Sequence, residues 1–240
     1  GSVGHAFYKT EVGKPIGNYY LLVQDGIFAT AEDLKKYPHF DNTEVGDFRF
    51  VDVDGDGKLD LDKDRTICGN YMPKFTYGFG CTLWYAGFDM DVNCQGVYGN
   101  KILNLNKRYL DNMEGNTNGT KIALDRWRSP ENPGSGSVNK ANRKQTGYNS
   151  RTSTWHLESG SYLRLQNLSL GYTLPRALTQ KFKVEKLRVY VSGQNLFTIT
   201  DYSGYNPEVN ARPSKNLTPG EDYGTYPLAR TYMFGLNLTL

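Results

Sequence analysis

A chain of 240 residues with net charge +3, its 28 Lys/Arg mixed with 25 Asp/Glu, holds no basic block dense enough to suggest nucleic acid. Tyr (18) outnumbers Phe (11) and Trp (3) together and Gly reaches 26, a balance that suits a turn-rich β protein with many wet–dry boundaries better than a helical one. Mean hydropathy is −0.60 and no apolar run approaches the ~18–20 residues of a membrane helix, yet a membrane β-barrel stays open, because its alternating strands leave almost no hydropathy signal.

Three cysteines (Cys68, Cys81, Cys94) lack C-x-x-C spacing and have no histidine at ligand spacing; an odd number leaves at least one thiol free, so no disulfide framework is expected. No secretory leader opens the chain, and for a sequence of the exported character developed below the true N-terminus is expected upstream of Gly1.

The first predicted strand covers residues 18–28, rich in Tyr, Leu and Val. An acidic turn follows, DVDGDGKLD from Asp52 to Asp60, which matches the first nine positions of a calcium-binding EF-hand loop. Asp52, Asp54 and Asp56 stand at positions 1, 3 and 5, Gly57 permits the sharp turn, and Lys58 offers its carbonyl at position 7. Asp60 stands at position 9. Position 12, normally a bidentate acid, is Lys63, so Asp64 closes the site only if one extra residue is absorbed. The candidate ligands are therefore Asp52, Asp54, Asp56, Lys58, Asp60 and Asp64, with Ca²⁺ favoured over Mg²⁺ by many oxygen donors. Solvated acids in a plain Asp/Gly turn are the alternative.

Residues 74–84 place Phe75, Tyr77, Phe79, Cys81 and Leu83 on one face and Thr76, Gly78, Gly80 and Thr82 on the other. Residues 88–97 set Phe88, Met90, Val92 and Cys94 against Asp89, Asp91, Asn93 and Gln95. Strands over 162–174, 186–199 and 229–240 follow. The last alternates most cleanly, Tyr232, Phe234, Leu236, Leu238 and Leu240 against Met233, Gly235, Asn237 and Thr239. The phase slips once between Leu165 and Leu168, which predicts a β-bulge.

Strands of a soluble sandwich usually run about 5 or 6 residues. Several of these run to the length that crosses a bilayer at about 45° tilt. Connections alternate short (86–87, 175–185) and long (about 29–73, 98–161 and 200–228), as in outer-membrane barrels with periplasmic turns and extracellular loops. Trp84, Tyr85, Phe88 and Tyr172 fall near one set of strand ends and Tyr98, Tyr162, Phe197 and Tyr232 near the other, the pattern of two interfacial girdles. Six strands cannot close a membrane barrel, and an open sheet edge cannot face lipid. The expected fold is all-β: residues 1–240 as the last six or so antiparallel strands of a larger transmembrane barrel.

Five blocks, in order, carry a family resemblance: EVGKPIGNYYLLVQDGIF (11–28), FVDVDGDGKLDLDKDRTICGNYMPKFTYGF (50–79), GSYLRLQNLSLGYTLP (160–175), LRVYVSGQNLFTITDYSGYNPE (187–208) and YPLARTYMFGLNLTL (226–240). Together they resemble the C-terminal region of SusC/RagA-type TonB-dependent outer-membrane transporters over nearly the whole chain. The resemblance implies a plugged barrel of about 22 strands, of which the plug and earlier strands are absent here. It further implies active uptake of a glycan or peptide, TonB coupling through a missing N-terminal region, a SusD-like surface lipoprotein as lid, and an outer-membrane location. The family usually ends on Phe, whereas this chain ends on Leu240. The alternative is a secreted, calcium-clipped β domain acting as an adhesin or glycan binder.

Enzymatic motifs are lacking. His5, His39 and His156 are isolated, and neither a Gly-x-Ser-x-Gly elbow nor a P-loop occurs. Asp89 and Asp91 share a face as a glycosidase pair would, but their place on a strand suits lumen lining better. Trp127, Trp155, Tyr202 and Tyr205 are loop aromatics able to stack on a glycan or to hold their loops together.

Overall fold

The computed structural model describes residues 2–5, 7–115, 117–143, 147–209 and 219–240. Residues 116 and 144–146 of the expected 98–161 loop, and 210–218 of the 200–228 loop, lie outside the described residues. The chain forms two compact bodies. One comprises Pro73–Asn100, Ser159–Pro207 and Tyr226–Leu240; the other comprises Gly1–Met72, Lys101–Glu158 and Glu208–Thr225.

In the first body five strands, β1 (Phe75–Tyr85), β2 (Phe88–Tyr98), β3 (Tyr162–Thr173), β4 (Lys186–Thr200) and β5 (Thr231–Thr239), form one antiparallel sheet, each paired with its neighbour in sequence. β1 turns into β2 through Ala86 and Gly87, both at positive φ, which twists the chain as a two-residue hairpin requires. An 11-residue strand at about 3.4 Å per residue and 45° tilt spans roughly 26 Å, matching an outer-membrane apolar band of about 25 Å. The expected bulge is present: the register of β3 shifts between Leu165 and Asn167 against both β2 and β4. Opposite it, Asn195 on β4 takes positive φ.

Cross-strand pairing fixes the faces. Phe79 lies opposite Cys94, Leu83 opposite Met90, Met90 opposite Leu170, Leu170 opposite Val191 and Val191 opposite Phe234, so one apolar row runs unbroken across all five strands. Phe79 is 64 %, Phe234 84 % and Leu236 70 % exposed. A soluble protein rarely leaves so extended an apolar face to water. Two details depart from the girdle pattern. Tyr162 is buried, its ring on the opposite, polar face beneath the Arg164 guanidinium at 5.0 Å. Trp84 pairs with Asp89 and so also follows the polar parity. Tyr85, Phe88 and Tyr172 at one end and Tyr98, Phe197 and Tyr232 at the other do share the apolar face.

The second body corrects the first predicted strand. Residues 18–28 are not a wall strand: they break at Val23 into Asn18–Leu22 and Gln24–Ile27. The first pairs with Tyr8–Glu11 and Arg65–Asn70, the second with Phe48–Phe50. The physical reason is in the residues: Tyr19, Leu21 and Leu22 are all buried, so both faces of the segment are covered by protein and none is left for lipid. The sheet therefore has five wall strands where six or so were expected.

The described residues of 101–158 and 208–225, most of two of the expected loops, fold with residues 1–72. Tyr8, Tyr19 and Leu21 pack on Leu103 and Leu105 in one core; Leu22, Ile27, Phe40, Phe48 and Phe50 form another, flanked by Trp127, Tyr148 and Trp155. Buried hydroxyls are satisfied across long sequence distances, Tyr8 Oη donating to the Pro219 carbonyl at 2.9 Å and Tyr19 Oη to that of Gly220 at 3.0 Å. Packing of this kind gives large connections a fixed structure where a bare loop would have none.

Candidate functional site

Two features of the described residues carry chemistry: the polar face of the sheet and the acidic turn. On the polar face Asp89 of β2 pairs with Asp-facing Arg188 of β4, two strands away, Nε donating to Oδ1 at 2.8 Å and Nη2 to Oδ2 at 2.5 Å. The strand between them carries Gly171 at that level, where an added Cβ would sit 2.5 Å from both side chains. Glycine there is what lets a bidentate pair form across β3. Asp91 accepts from Thr82 Oγ1 and Asn93 Nδ2, each at 2.8 Å. Both aspartates are thus held in neutral or charge-compensating hydrogen bonds on the wall, a wet-lumen arrangement. Nearer the other strand end the buried Arg164 donates from Nε to Thr198 Oγ1 at 2.9 Å and from Nη2 to Asn206 Oδ1 at 3.0 Å. Sequence reading missed Arg188 and Arg164, because only the register places them beside their partners.

The acidic turn is laced by side-chain acceptors on backbone amides. Asp52 accepts from Gly55 N at 2.7 Å and Gly57 N at 2.9 Å, bonds that favour its ionised form and hold its carboxyl below the usual range. Asp64, only 1 % exposed, accepts from Val53 N at 2.8 Å and Asp60 N at 2.6 Å, which folds the turn back on itself. Carboxylate oxygens of Asp52, Asp54 and Asp64 come within 4.8 Å of one another. The other expected ligands are placed differently. Asp56 caps Lys58 N at 2.9 Å with Lys63 Nζ 3.9 Å away, and Asp60 accepts from Asp62 N at 2.7 Å and Lys63 N at 3.2 Å. Three converging carboxylates are a hard, all-oxygen donor set that suits Ca²⁺.

The loop aromatics divide by burial. Trp127 and Trp155 pack against the Phe40–Phe48 core, the latter under Lys107 Nζ at 4.1 Å, and Tyr202 is buried. Tyr205 is 79 % exposed.

A meander of long strands, apolar on one face and polar on the other with its shorter connections at one end, is the wall of a transmembrane β-barrel of the outer-membrane type. No protein-family model matches the sequence. TonB-dependent receptor P3 of Formosa agariphila is 37 % identical over 235 residues, 94 % of this chain and 22 % of its own length. TonB-dependent receptor SusC of Bacteroides thetaiotaomicron is 28 % identical over 190 residues, 79 % of this chain and 17 % of its own. The solved RagAB peptide transporter superposes with a TM-score of 0.73 at 25 % identity, over 98 % of this chain and 24 % of that one. The chain belongs to the SusC/RagA-type TonB-dependent receptors, and it spans about a fifth of the length of the curated relatives it matches. Those relatives are named as receptors and transporters, not enzymes.

Proposed function

We propose that this chain is wall and external loop structure of an outer-membrane importer that takes up a nutrient, glycan or peptide, with energy delivered through TonB. The observation that carries this is the single apolar row across five membrane-length strands backed by a polar face, in a chain 37 % identical to a TonB-dependent receptor. The peptide reading draws support from the likeness to the RagAB peptide transporter. A SusD-like lipoprotein lid is the proposed partner, and the connections folded into the second body are its proposed docking region. Deleting the gene and growing the bacterium on panels of oligosaccharides and of peptides as limiting nutrient tests this. Loss of growth on one panel, restored by the intact gene, is expected; unchanged growth and uptake on both sinks the importer reading.

Ca²⁺ held by Asp52, Asp54 and Asp64 is proposed as a structural clip, supported by the convergence of their oxygens. When bound, the ion supplies positive charge that lets three carboxylates sit together; the buried Asp64 then ties the turn to the strand Arg65–Asn70 that follows it. The adhesin alternative is disfavoured by the exposed apolar face, which water would not tolerate.

A further inference from the structure

We infer that the second body contains a binding site for a single oxyanionic group, sulfate, phosphate or carboxylate, formed by Arg65, Arg108, Arg151 and Thr152. These four side chains line a cavity of about 180 Å³ together with apolar walls that include Leu22 and Leu61. No carboxylate is among the lining side chains. Each arginine arrives from a different element. Arg65 pairs with Leu22 across the sheet, Leu22 bridges Ser153 and so brings Arg151 and Thr152 alongside, and Arg108 comes from the short helix Lys107–Leu110.

Thr152 supplies the independent observation. It is 8 % exposed, and its Oγ1 is buried with no hydrogen-bond partner among the described residues. A buried hydroxyl without a partner costs stability, so one that lines a cavity among cations is a donor waiting for an acceptor. Arg108 and Arg151 bring positive charge to the same lining, the Arg151 guanidinium also lying over the Tyr148 ring at 5.3 Å. Guanidinium forks match carboxylate, sulfate and phosphate oxygens in both charge and geometry. The volume falls below the roughly 300 Å³ of a small-molecule pocket, so the site takes one anionic group and not an oligomer.

This inference stands apart from the importer reading, since a free ion binds whether or not anything is transported. The test is calorimetric titration of the complete receptor in detergent with sodium sulfate, against sodium chloride at equal ionic strength. Saturable sulfate binding, displaced by inorganic phosphate, is expected. Arg108→Gln and Arg151→Gln should each weaken it about tenfold or more, and Thr152→Val by less. Arg151 is exposed, so its variant folds normally and keeps the test valid if Arg108→Gln does not. A sulfated monosaccharide titrated beside its neutral parent separates the sources: tighter binding than inorganic sulfate marks a substituent of a larger ligand, equal binding a free ion. Absence of saturable sulfate and phosphate binding, or variants that bind as the unaltered receptor does, overturns the site.

Discussion

Leu236 and Asn237 are adjacent on β5 yet meet opposite environments. Leu236 lies opposite Val189 in the apolar row, and Asn237 opposite Arg188 on the polar face. Leu236→Arg near mid-bilayer is expected to cost about 2 to 4 kcal/mol, whereas Asn237→Arg should cost far less. Urea titration of the receptor folded into lipid vesicles measures both, and equal costs would remove the barrel assignment. His156 supplies a second residue-scale prediction. It is fully buried, with Nδ1 accepting from Ser153 N at 3.2 Å, and burial lowers it from 6.5 to about 3. The unfolded chain takes up the proton near pH 6.5 while the folded chain resists it until about pH 3, so stability is intact above 6.5 and falls with decreasing pH across that window. The slope is about 1.4 kcal/mol per pH unit within it. His156→Gln should flatten the slope, as thermal unfolding between pH 7 and 4 would reveal.

At the scale of elements the acidic turn offers the sharpest test. Asp64 is buried and joins the turn to the strand Arg65–Asn70, so a cation drawn to it should stiffen both. Adding Ca²⁺ to chelator-treated receptor is expected to raise its melting temperature and to slow proteolytic cleavage between residues 52 and 64. Asp64→Asn should abolish both effects while the same change at Asp62, an exposed residue outside the cluster, should leave them in place. Identical melting and cleavage with and without Ca²⁺ would return the turn to a set of Asx caps.

For the whole molecule, the folded connections change where a lid would be sought. Trp127 packs against a core and Tyr202 is buried, so neither stands out as an anchor for a partner. The exposed surface of the 98–161 segment lies instead around Tyr109, Leu124 and residues 130–137. Replacing 130–136 by a short Gly/Ser linker leaves both cores intact and is expected to cut the yield of lipoprotein co-purified with the tagged receptor. An undiminished yield would take this tip out of the interface.

Much of this was legible in the residues themselves, because period-two alternation is local. Residues 74–84, 88–97 and 229–240 each state their strand and their two faces without reference to any other part of the chain. The bulge near Asn167 was equally readable, as one slip in that period. The segment 18–28 was not: a run of Tyr and Leu fits a strand buried on both faces as well as a membrane strand, and only its packing on Leu103 and Leu105 decided between them. Asp64 could be proposed as a ligand from spacing, but whether Asp56 and Asp60 join it depended on which backbone amides they found. The Asp89–Arg188 pair and the arginines around Thr152 lay beyond sequence altogether. Their members stand tens of residues apart, and what sets them side by side is strand register and the docking of separate segments, interactions that no local pattern encodes.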